Sequence, residues 1–110
     1  MAVFHITNKR LAVADVLREF KKREYLLNFR REAACLYCSE LRQWILPENF
    51  NIDDQVYVEE MEMPDADRMI YAISLVQGPK GYLIDACNVY MDNISAEMME
   101  KLKPNQFPAW

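Results

Sequence analysis

The chain has only two glycines, and both fall within four positions, Gly78-Pro79-Lys80-Gly81. Glycine reaches positive φ without a steric penalty, so a sequence this sparing with it marks where the backbone must reverse. Strand-like sequence flanks the tetrapeptide on both sides, Arg68 to Val76 before it and Tyr82 to Tyr90 after it. The pattern predicts a β-hairpin with both glycines in its turn. Apolar residues on both faces of each arm predict a central place in a sheet.

Upstream, Val13, Val16, Leu17 and Phe20 repeat at helical spacing. Asp15 stands early in that stretch and Lys21-Lys22-Arg23 close it, which suits the helix macrodipole. A helix from about Leu11 to Arg23 follows, with Thr7 or Asn8 as its cap. From Tyr25 the period changes. Tyr25, Leu27, Phe29, Ala33, Cys35 and Tyr37 alternate with Asn28, Arg30 and Glu32, the signature of a half-buried strand. A helical reading competes there, because Leu27, Ala34, Cys38, Leu41 and Ile45 also fit a helical repeat. Further strands are expected at Glu40 to Leu46 and Gln55 to Met63, separated by a turn at Pro47-Glu48-Asn49-Phe50. Pro64-Asp65-Ala66-Asp67 turns the chain into the hairpin. Ser95 caps a last helix that Pro104 stops.

The expected fold is therefore α+β: an antiparallel meander of about four to five strands, with an N-terminal and a C-terminal helix packed on one face. Residues 1–104 form one domain and 105–110 an aromatic tail.

At 110 residues and 52% apolar content, the chain supports one core and argues against intrinsic disorder. No uninterrupted apolar run approaches the roughly 20 residues of a membrane span. The positive charges near the start follow an apolar stretch, the reverse of a secretory signal. An odd count of cysteines argues against a secreted disulfide framework. A soluble cytoplasmic protein without a membrane partner is the expectation.

The net charge of −4 conceals an asymmetry. Residues 1–31 carry eight basic and three acidic groups, whereas residues 32–67 carry one basic and ten acidic. Mutual neutralisation within the fold is one reading, and a steering surface for a charged partner or a head-to-tail self-contact is the other.

Several short motifs together resemble a known family. They are Cys35-Leu36-Tyr37-Cys38, Leu46-Pro47-Glu48-Asn49-Phe50, Val56-Tyr57-Val58-Glu59 and Ile70-Tyr71-Ala72-Ile73. Lys80-Gly81-Tyr82-Leu83-Ile84-Asp85-Ala86, Val89-Tyr90 and Ser95 to Leu102 continue the match. From about Val13 onward the chain resembles a family of small uncharacterised bacterial proteins, whose members often carry the name phosphoribosylpyrophosphate synthetase. The resemblance implies a compact bacterial domain. It does not imply that activity, which needs a backbone-lined phosphate cradle and a metal-binding acidic site beside it. Both glycines here are assigned to one hairpin, leaving none for a glycine-rich strand-to-helix turn. The chain departs from the family at Glu24, where members tend to place a helix-ending glycine.

Candidate chemistry is sparse. Cys35 and Cys38, with Cys87 and His5, supply the four ligands of a structural zinc site, although a strong zinc signature pairs two close-spaced motifs. A redox role for the same cysteine pair would need it to open a helix. Asp53, Asp54, Glu59, Glu60, Glu62, Asp65 and Asp67 form an acidic stretch that lacks the glycine of a calcium loop. A solvated sheet face or a protected edge explains it. Asp85 stands mid-strand, where a carboxylate needs a partner such as Tyr71 or an arginine, so Asp85 and Tyr71 are candidate ligand-binding residues.

His5 is the only histidine, and nothing places it in a nucleophilic triad. The basic run through Lys9, Arg10, Arg18, Lys21, Lys22, Arg23, Arg30 and Arg31 lacks any nucleic-acid fold signature, and none is expected as a partner. Phe107 and Trp110, with Met61, Met63, Met98 and Met99, are anchors of the kind found at interfaces. The function expected is a non-catalytic interaction module meeting another protein or its own copy. The alternatives are a small ligand-binding protein or enzyme using Asp85 and Tyr71, or a structural zinc protein.

Overall fold

The computed structural model describes residues 12–58, 68–86 and 94–102. The first helix, α1 (Val13–Lys22), has Asp15 reaching back to the Ala12 N–H at 3.3 Å. Its C-terminus closes with a Schellman pair: Glu24 N–H to Lys21 O at 2.9 Å and Tyr25 N–H to Phe20 O at 3.0 Å. Glu24 takes the left-handed position, φ 71°. The resembling family tends to have glycine there.

Six strands follow among the described residues: β1 (Leu27–Arg31), β2 (Leu36–Cys38), β3 (Gln43–Ile45), β4 (Phe50–Val58), β5 (Arg68–Leu75) and β6 (Lys80–Ala86). A 3-10 turn (Pro47–Asn49) joins β3 to β4, and α2 (Ala96–Leu102) comes last. The Ser95 hydroxyl accepts the Met98 N–H at 3.2 Å, the expected cap. The expected turn at Pro64 to Asp67 lies outside the described residues, as do Thr7 and Asn8.

The α+β class holds, but the meander does not. The sheet has six strands in the order β3-β2-β1-β6-β5-β4, and β1 runs parallel to β6. Two antiparallel three-stranded units are thus joined through a parallel seam. Gly81 makes the seam. Its backbone lies so near Leu27 that an added Cβ would stand 2.3 Å from the Leu27 carbonyl oxygen. Of the two glycines, only Gly78 (φ 126°) belongs to the turn; Gly81 is a strand residue opposite Leu27. Within the described residues the hairpin arms are otherwise as expected and central in the sheet, with Tyr71 opposite Leu83; residues 87–90 of the second arm lie outside them.

The single strand expected from Tyr25 to Tyr37 is broken at 32–35, which reverses the facing. Phe29 points into the core before the break, but Leu36 and Cys38 do so after it, leaving Tyr37 on the other side. The helical reading of this stretch fails for the same reason.

The two helices pack on opposite faces, not one. Tyr71, Ile73 and Leu75 of β5 join Met98 and Leu102 of α2 in one cluster. Ile70 and Ala72, which alternate with them, join Val16 and Phe20 of α1 in the other. Successive strand residues face opposite sides, so β5 is buried by both layers.

The sheet is also strongly curled. A flat six-stranded sheet would be about 24 Å across, yet its two edges, β3 and β4, are joined by residues 46–49 alone. Gln77 Nε2, in the β5–β6 turn, donates to Gln43 Oε1 on β3 at 3.2 Å. The concave side holds Ile45 and Phe50 from opposite edges, with α2 packed over them.

Candidate functional site

Asp85 has the arginine partner its position demands. Arg31 Nε donates to its carboxylate at 2.6 Å, with both side chains largely buried. Tyr71 is elsewhere in the network: its hydroxyl donates to the Leu102 carbonyl at 2.9 Å beneath α2. The two candidate residues share the concave face. Among the interface candidates, Met98 is fully buried core and Met99 is exposed. Phe107, Trp110, Met61 and Met63 lie outside the described residues.

Cys35 precedes β2 and Cys38 ends it, both as free thiols. Burial pushes both thiols above their ordinary range, with Glu32 adding to the effect at Cys35 and Glu40 at Cys38. That is the opposite of the activation a redox cysteine needs. Cys87 and His5, the other expected zinc ligands, lie outside the described residues. Among the described residues, no three His, Cys, Asp or Glu side chains converge.

The acidic stretch begins in a β-bulge between Ile52 and Asp54. The extra residue lets Asp53 and Asp54 both engage groups on the α1 side. Asp54, the one buried charged residue among those described, meets Arg23 Nη2 at 3.3 Å and the Gln55 N–H at 2.8 Å. Asp53 accepts from the Tyr25 hydroxyl at 2.8 Å and the Ser74 hydroxyl at 3.1 Å. Burial, reinforced by the Asp53 carboxylate, pushes the Tyr25 phenol up to about 12. The network ties the end of α1 to β4 and β5. The remaining acidic candidates, Glu59, Glu60, Glu62, Asp65 and Asp67, lie outside the described residues.

A more accessible surface lies beside α1. The helix packs over Val56, Ile70 and Ala72, while the same convex face continues over β1, β2 and β3. Arg30, Tyr37 and Trp44 line up across those three strands in register. Trp44 is 62% exposed. Its ring centroid is 4.6 Å from that of Tyr37, and the Arg30 guanidinium stands 5.1 Å from the Tyr37 centroid on a side chain paired with Glu32. The indole is thus exposed and braced together. A recess of about 380 Å³ against Tyr37 is lined by Asn28, Arg30, Arg31, Ser39, Ile84 and Asp85. On the other side of Trp44, a second recess of about 410 Å³ includes Gln43, Asn49, Val76 and Gln77. No ionisable residue lines it, in a chain that is 27% charged.

Sequence reasoning passed over Trp44. Its signal was the alternation of β3, since with Ile45 facing inward its neighbour must face out. Tyr37 was placed on the wrong face because the break at 32–35 carries no glycine or proline to announce it.

Compared with known proteins, the chain matches no family model, no curated protein and no solved structure. Among the described residues, no helix is long and apolar enough to cross a membrane.

Proposed function

We propose that this protein is a non-catalytic interaction module that binds a protein partner, its own copy included, through the convex face of β1, β2 and β3. The observation that carries this reading is the braced, exposed Trp44. Tryptophan, tyrosine and arginine are the residue types that dominate binding energy at interfaces. A ring already packed by Tyr37 loses little freedom on docking. The uncharged recess beside it suits a partner surface without strong net charge. On this face Arg23 meets Asp54 and Arg30 meets Glu32.

A second reading rests on the other recess. Asn28, Arg30, Arg31, Tyr37, Ser39 and Asp85 offer hydrogen-bonding groups around about 380 Å³, room for a small polar ligand. Membership of the resembling bacterial family is also part of the proposal. It is supported by the left-handed Glu24, a conformation that a glycine at that position would serve. A cytoplasmic location accords with unactivated free thiols.

The test is chemical crosslinking of wild type and Trp44→Ala, combined with light scattering across a concentration series. Crosslinked partner or self-association that Trp44→Ala abolishes, with folding retained, supports the module. Equal crosslinking or association by wild type and Trp44→Ala defeats it. A melting shift with a small ligand that Ser39→Ala removes, alongside unchanged association, moves the assignment to the second reading.

A further inference from the structure

We infer that the groove between the 3-10 turn and α2 docks a cationic, apolar-faced segment of a partner protein. It lies on the concave side with α2 and is independent of the Trp44 face. The groove has a volume of about 480 Å³ and is lined by Pro47, Glu48, Ala96, Glu97, Glu100 and Lys101.

Helix geometry accounts for the lining. Met98 and Leu102 face the core, so the i,i+4 pairs Ala96/Glu100 and Glu97/Lys101 form the stripe turned away from it. The Pro47 ring, the Ala96 methyl and the aliphatic stems of the longer side chains make an apolar floor. Around it stand three carboxylates and one ammonium. That ammonium is already held, because Lys101 Nζ donates to the Phe50 carbonyl at 2.6 Å and lies 5.3 Å from the Phe50 ring centroid.

Charge complementarity then selects the occupant. A phosphate, a nucleic acid or an acidic peptide would meet three carboxylates. A neutral apolar segment would strip water from the Glu48 and Glu97 carboxylates and return no partner to them. A lysine or arginine on an apolar segment satisfies both parts of the site, its stem lying on the floor and its head reaching the rim. At seven residues, α2 is about 10 Å long, enough to receive roughly two turns of a helical segment.

The probe is a fluorescein-labelled amphipathic Lys/Leu peptide of about 14 residues, followed by anisotropy at low ionic strength, with a Glu/Leu peptide of equal length as counterpart. Saturable one-to-one binding of the Lys/Leu peptide, weakening as salt is added, is expected. The double variant Glu48→Lys/Glu97→Lys should bind at least about tenfold more weakly. A charge-matched double variant on α1 and just beyond its end, Glu19→Lys/Glu24→Lys, should stay within about twofold. Ala96→Trp should block binding by filling the groove; should it fail to fold, the charge-reversal arms decide. Circular dichroism verifies folding throughout. Equal weakening by the two double variants, equal binding of the Glu/Leu peptide, or no binding of the Lys/Leu peptide each overturns the inference. Trp44→Ala should leave this binding unchanged, so failure here and failure of the convex-face module are separate results.

Discussion

Glu24 holds a backbone conformation that L-residues resist. At φ 71° its Cβ crowds the backbone, a strain of about 1–2 kcal/mol that glycine avoids. The Schellman bonds on either side and the Phe20–Tyr25 ring contact, 5.9 Å between centroids, keep it there. Glu24→Gly should therefore stabilise the protein by about 0.5–1 kcal/mol, after allowing for glycine's larger freedom when unfolded. Thermal denaturation should show a melting point a few degrees higher; a lower one would place the strain elsewhere. One residue on, Tyr25 makes a pH prediction. Its folded value of about 12 lies above the ordinary 10.0, so the folded state holds this proton more tightly than the unfolded chain does. The stabilisation is fully present below pH 10 and is lost as pH rises toward 12. Its ceiling is on the order of 3 kcal/mol. Tyr25→Phe should lower stability at neutral pH and flatten the alkaline limb of the stability curve; an unchanged limb would show that Asp53 and burial do not act on this phenol.

The parallel pairing of β1 with β6 rests on one side chain being absent. At Gly81 a methyl group would meet the backbone of Leu27, and backbone cannot swing aside as a long side chain can. Gly81→Ala should cost about 1–3 kcal/mol. Hydrogen exchange should show protection lost in β1 before β4 and β5, which are paired along eight positions. Uniform loss would mean that the seam is no weaker than its flanks. This seam also explains what was readable in advance. Both helices, the hairpin and the Ser95 cap follow from local pattern, and each was legible. The seam pairs residues more than 50 positions apart, and its only mark was a glycine that the turn seemed to claim. The candidate site was hidden similarly. Asp85 announced its need for a cation, but the braced Trp44 depends on facing set by an unmarked break upstream of β2.

Curling the sheet around one cluster while backing it with another makes β5 common to both layers. Its side chains alternate between Phe20's neighbourhood and Met98's, so neither layer can loosen without exposing the other. Cooperative unfolding follows: a cavity opened on either side should be felt by the entire fold. Phe20→Ala on the convex side should cost about 3–5 kcal/mol, and Met98→Ala on the concave side about 2–5 kcal/mol. Against a total of about 5–15 kcal/mol for domains of this kind, each is a large share. Calorimetry and circular dichroism should still record one transition, shifted downward, in both variants. Two separated transitions in either variant would show that the layers fold as independent units joined through the seam. The interaction proposals bear on this coupling, because the Trp44 face and the α2 groove lie on opposite sides of the shared sheet. A partner bound at one should raise the melting point of the whole molecule rather than protect only the strands it touches.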